Sequence, residues 1–198
     1  MARQSFSERI RLARQVVDID SIARRYFVIG SFDGSLTMLG VILAAWLLGA
    51  ITRNLVVLAA FSGGLALGVS AALGAYEAER VERRMEEHTL KRSMLREVSP
   101  EYRAALDTAS LVGAVVHGLA PVGAALIPVI PYLYFADTSD GRQNATIWAV
   151  VVSLGFLFSI GSYLGSMAKQ RAVVTGLRFV GAGLLIACVV LLLGNAHF

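Results

Sequence analysis

Charge is scarce in this chain: 16% of its 198 residues are Asp, Glu, Lys or Arg, while 56% are hydrophobic and mean hydropathy is +0.65. Soluble domains carry about 25% charged residues, so the composition excludes one and defines an integral membrane protein. Cysteine is nearly absent. Cys188 stands alone in an apolar run near the C-terminus, which rules out an intramolecular disulfide and marks it as lipid-facing or packed filler. Catalytic signatures are missing too: there is no nucleophile motif, no HExxH and no phosphate loop, so nothing argues for an enzyme. Acidic residues are missing from the apolar runs, with one exception.

That exception is Asp33, within Phe32-Asp33-Gly34-Ser35-Leu36-Thr37-Met38-Leu39-Gly40. The run from Tyr26 to Ala50 is long enough to cross a bilayer, since about 20 apolar residues suffice. At about 1.5 Å per residue, Asp33 lies roughly 10 Å in from Tyr26, too deep for a short side chain to reach the surface. A carboxylate there costs about 2.5 to 3.5 kcal/mol on insertion scales, so it is expected to face other helices or water. Its functional role competes with a plainer one, a carboxyl that locks two helices together.

The predicted fold is all-α and polytopic, with five transmembrane helices and a cytoplasmic helical arm after the second. Residues 1–25 carry six arginines, and Leu12, Val16, Ile19, Ala23 and Tyr26 recur at steps of three or four. This predicts a cytoplasmic amphipathic helix on the membrane surface, and a cleaved signal peptide is not expected. Residues 26–76 hold the first two spans, the second running from Leu55 to Tyr76 after a tight turn at Ile51-Thr52-Arg53-Asn54. Its Ser62, Gly63, Gly64, Gly68, Ser70 and Gly74 allow close backbone approach. Residues 77–108 invert the composition with seven basic and eight acidic residues. The second helix is predicted to continue into water to Arg96, and Ser99-Pro100-Glu101 to open a short separate helix ending near Asp107.

Residues 109–198 hold the last three spans. The third, Ala109 to Ala136, contains Pro121, Pro128 and Pro131, each of which frees a carbonyl one turn earlier and predicts a kinked helix beside a cavity or close neighbours. His117, one turn before the first proline, is read as a hydrogen-bonded packing histidine. A polar turn at 137–144 precedes a fourth span, Ala145 to Ala168, and a fifth runs from about Thr175 to Ala196.

Of the eighteen Lys and Arg residues, only Arg53 and Arg142 fall on one side of this topology and sixteen on the other. The positive-inside rule therefore places the N-terminus and the arm in the cytoplasm and the C-terminus outside or in a lumen. The net charge of +4 and pI near 9.6 come from arginines that flank apolar spans. The expected partner is an anionic lipid surface, not nucleic acid.

Five spans, Asp-Gly in the first, a charged arm after a Gly-rich second, Ile127-Pro128-Val129-Ile130-Pro131-Tyr132 in the third and Gly176-Leu177-Arg178-Phe179 opening the fifth together resemble the vacuolar iron transporter family. The likeness covers about residues 26 to 195. It implies a proton-coupled exporter of Fe2+, Mn2+ and related divalent ions from the cytoplasm, built as a symmetric homodimer with the ion path near the two-fold axis. The metal is substrate, and no cofactor is expected. A prokaryotic cell membrane is the expected location.

One departure stands out. Where the family's second span reads Ser-Met-Gly-x-Gly-Glu-Tyr, this chain has Ser70-Ala71-Ala72-Leu73-Gly74-Ala75-Tyr76, so the path Met and Glu are both alanine. The resemblance carries over Asp33 as the intramembrane ligand. Met38 is read as a substitute sulfur donor and Glu77 as a substitute carboxylate. Oxygen with thioether donors suits Fe2+ or Mn2+ better than Mg2+. On the arm, Glu79, Glu82 and Glu86 fall at i, i+3 and i+7, one helical stripe on which a bound cation would relieve mutual repulsion. The alternative is a non-transporting structural or regulatory membrane protein, whose arm is a solvated helix with ordinary pairs such as Glu79 with Arg83 and binds a partner, metal or lipid surface.

Overall fold

The computed structural model describes residues 10, 11, 14, 18–94, 100–135 and 139–195. Those residues are helical almost throughout: α1 (Ile19–Leu47), α2 (Arg53–Met94), α3 (Pro100–Leu126), a single 3-10 turn (Ile127–Val129), α4 (Ile130–Phe135), α5 (Ser139–Met167) and α6 (Ala172–Asn195). Five stretches are long and apolar enough to cross a membrane, Ile19–Leu47, Arg53–Met85, Arg103–Phe135, Asp140–Met167 and Ala172–Gly194.

Three boundaries differ from the sequence expectation. Most of residues 1–17, the greater part of the expected amphipathic helix, lie outside the described residues. Its last turns are the start of α1 itself. The side chain of Asp18 caps the helix by accepting from Ser21 N at 3.2 Å, and nothing between Ile19 and Tyr26 breaks it. Ile19 is buried against Ala105 and Ala109 of α3, so that part of the apolar stripe packs on protein instead of lying on lipid.

The second difference is that no separate short helix precedes the third span. Pro100 opens α3, which runs unbroken to Leu126, because a proline is tolerated in a first turn; the hydroxyls of Thr108 and Ser110 are absorbed within it by donating to Ala104 O and Leu106 O. Third, Pro121 sits inside α3 without ending it. The helix gives way only at Ile127–Val129, where Pro128 and then Pro131 follow closely. Beyond that break Arg53 donates to the carbonyls of Tyr132 at 3.0 Å and Leu133 at 2.7 Å, supplying partners for exposed helix-end acceptors. Tyr132 is fully buried and shares a 2.8 Å hydrogen bond with Thr146 of α5.

Helix α3 is the centre of the arrangement, with α1 and α2 packed on it, while α5 and α6 form a hairpin that leans on α1. At the level of Pro121 the backbones nearly touch. A Cβ on Gly34 would lie 2.7 Å from Pro121 Cα, and one on Gly118 would lie 2.9 Å from Gly68 O. The GxxxG pair of α2 is used inside the chain: Gly64 faces Val122 and Gly68 faces Gly118. The α5–α6 hairpin closes in the same way, with Gly161 against Gly176. Helices α1 and α2 meet mainly at their connecting end, where Met38, Ile42, Ala45, Ile51, Val56 and Ala60 share one core cluster.

Candidate functional site

The placement of Asp33 follows from helix periodicity. Gly30, Gly34 and Met38, at steps of four, form the buried face of α1, and Gly30 and Gly34 are pressed against α3. One residue from Gly34 is a 100° turn, so Asp33 leaves that face, and both it and Thr37 one turn later are exposed on the chain's surface. Asp33 is seven residues from Tyr26, two turns along nearly the same line. Tyr26 in turn touches both Glu79 of α2 and His117 of α3. The carboxylate is thus exposed on the surface of the single chain, outside the Gly30–Gly34–Met38 face that packs on α3.

Met38 goes the other way. It is 2% exposed, within the core cluster that includes Ile42, Val56, Ala125 and Tyr132. The structure does not bring it to the Asp33 face: five residues amount to 500°, which leaves the thioether 140° away. Ala71 and Ala75, at the positions where the resemblance expects Met and Glu, are half-buried and buried.

The carboxylates at the start of the arm also separate. Glu77 is exposed and pairs with exposed Arg80 at 3.5 Å. Glu82 is exposed as well, whereas the side chain of Glu86 lies outside the described residues. Glu79 is buried, and three donors hold it: Tyr26 Oη at 2.9 Å and Arg25 Nη2 at 3.2 Å on one oxygen, Arg83 Nη2 at 3.4 Å on the other. It ties α2 to α1 one turn beyond Ala75. The i,i+4 pairing with Arg83 was legible in the sequence, but the partners from α1 are 53 and 54 residues away and left no local signal. Among the described residues, no three His, Cys, Asp or Glu side chains converge as a metal-binding group.

His117 completes the α1–α3 contact as the packing histidine its position suggests. Its Nδ1 lies 3.1 Å from Tyr26 O, and its ring is 4.9 Å from the Tyr26 ring. A carbonyl only accepts, so Nδ1 carries the proton in this contact.

Glu79 yields a test. In Glu79→Gln the amide oxygen still accepts from Tyr26, but Arg83, whose side chain is only 10% exposed, loses its counter-charge. The expected result is a loss of about 1 to 3 kcal/mol of stability, read as a lower melting temperature in detergent, with metal stoichiometry unchanged. A fall in bound metal at wild-type stability would instead make Glu79 a ligand.

An apolar bundle of five membrane-length helices with one carboxylate at mid-span defines a polytopic membrane protein with a polar site inside the apolar zone. The chain belongs to the VIT family, the vacuolar iron transporter family, whose sequence profile matches residues 24–105 and 93–195. Family members are transporters, and membership points to metal ions as what is moved. A protein of Methanocaldococcus jannaschii, itself uncharacterized, is 27% identical over 177 residues, covering 87% of this chain and 88% of its own length.

Proposed function

We propose that the chain exports Fe2+ or Mn2+ from the cytoplasm in exchange for protons, and that it does so as a homodimer in which two copies of Asp33 face each other. The observation that carries this reading is the exposure of Asp33 on one chain, at a depth where lipid would otherwise cover it. Ionisable groups at such depth are sheltered by protein or water, and a symmetry mate supplies both the shelter and a second carboxylate. Metal and proton compete for the same carboxylate lone pairs, so the arrival of one expels the other. That competition is a coupling device requiring no further group. Glu77 and Glu82, exposed where α2 leaves its apolar stretch, offer carboxylates to collect cations at the cytoplasmic mouth.

The experiment is uptake into liposomes that carry an internal pH indicator, compared across Fe2+, Mn2+, Co2+, Zn2+ and Mg2+. The expected result is proton movement driven by Fe2+ or Mn2+ and absent with Mg2+, together with a dimer band on crosslinking in native membranes. Flux no greater than in empty liposomes for every metal would leave the non-transporting alternative standing.

A further inference from the structure

Where α2 and α3 emerge from their apolar stretches they enclose a cavity of about 620 Å³. Its lining includes neither Asp33 nor the exposed Glu77 and Glu82 of the transport reading. Arg80, Arg83 and Arg84 from α2 and Arg103 and Asp107 from α3 are among the residues that line it. Leu106 and Leu111 supply an apolar floor on the membrane side.

Arg83 is the unusual member. Its side chain is nine-tenths buried and only Nη2 is engaged, by Glu79; Nε and Nη1 are buried with no hydrogen-bond partner. Buried donors in native proteins are nearly always satisfied, and a charged one left open is the costliest kind. The hydroxyls of Thr108 and Ser110 on the α3 wall already donate to their own helix, so they add nothing to the charge balance. Glu77 reaches Arg80 only at the exposed rim, and Arg84 has no ion pair among the described residues.

We propose that this cavity binds a phosphate group, held by the guanidinium groups of Arg80 and Arg84 at its mouth, with the buried charge of Arg83 in its wall. A planar guanidinium matches phosphate oxygens better than any other side chain. A tetrahedral oxyanion offers several acceptors at once, so it can bridge Arg80 and Arg84, one helix turn apart, where a single water offers too few. Basic pockets between membrane helices at the cytoplasmic boundary suit lipid phosphodiesters, and a soluble phosphate presents the same oxygens. Asp107 stands opposite as the repelling charge and keeps the bound group toward α2.

The test uses the full chain, stripped of lipid in detergent. One arm titrates inorganic phosphate by calorimetry. The other reconstitutes the chain in phosphatidylcholine with or without phosphatidylglycerol, then counts the phosphatidylglycerol retained per chain by mass spectrometry after re-extraction. Arg83→Gln and, separately, Arg84→Gln are expected to weaken the bound species about tenfold, the worth of one charge-assisted hydrogen bond. Arg24→Gln, an exposed charge on α1 away from the cavity, is expected to leave it unchanged. Selective retention of phosphatidylglycerol assigns the phosphate to lipid, and calorimetric binding without such retention assigns it to a soluble ligand. Binding in neither arm, or binding equal in wild type and Arg84→Gln, overturns the proposal. Because Arg84 is exposed and has no ion pair among the described residues, that variant decides the matter even if Arg83→Gln fails to fold.

Discussion

Asp33→Asn should fold, insert and melt like the wild type, within about 0.5 kcal/mol as expected for an exposed position, and should lose metal-driven proton movement entirely. The side chain is exposed on the single chain, so the isosteric change leaves the packing of the bundle in place. Asn preserves size and hydrogen-bonding capacity but has no proton to release and no charge to attract a divalent ion. Both halves of the exchange depend on that single ionisable oxygen pair. The measurement is the liposome assay at several external pH values: wild-type flux should vary with pH, and the variant should match empty liposomes throughout. Flux with wild-type pH dependence in Asp33→Asn would reduce the carboxylate to a helix-locking residue and remove the transport mechanism with it.

Gly34→Ala should damage the fold as severely as Asp33→Asn damages function. The added methyl carbon would lie 2.7 Å from Cα and 2.9 Å from the carbonyl carbon of Pro121, atoms of a helix backbone that no rotamer change can move aside. Overpacking of this kind costs about 1 to 3 kcal/mol, occasionally more, and the proline ring next to the contact stiffens the one segment that would have to yield. The expected readout is a clear drop in melting temperature in detergent. Gly74→Ala is the control, since a Cβ there meets nothing within 4 Å; it should be neutral or slightly stabilising through helix propensity. Equal melting of Gly34→Ala and Gly74→Ala would mean that α1 does not approach α3 at Pro121. The Asp-Gly pair thus joins two needs: Gly34 allows the close approach that orients α1, and that orientation turns Asp33 outward.

The structure also reassigns the glycines of α2. Small residues in a membrane helix signal close packing without naming the partner. Gly64 and Gly68 are taken by α3 and so contribute nothing to a surface between two copies. Exposed along its apolar stretch are Ser62, Ala66, Ser70 and Gly74 among Leu58, Phe61, Leu65, Val69 and Leu73. In the proposed dimer it is Asp33, and not the glycine pair, that faces the second copy.

Local quantities were readable from the sequence alone. Five spans follow from the length of apolar runs, because a helix must satisfy its own backbone in lipid and needs about 20 residues to cross. Family membership followed from the order of short motifs. The depth of Asp33 needed only a count of residues. Direction and partnership were decided by tertiary structure. That Met38 faces the core while Asp33 faces outward depends on which side of α1 meets Pro121, 87 residues away from Gly34. That Glu79 is buried and held by Tyr26 and Arg25 depends on those two residues arriving from the first helix. Hydropathy averages over a helix and carries no azimuth; azimuth is set by where two backbones can come closest, and that is a property of pairs of distant residues.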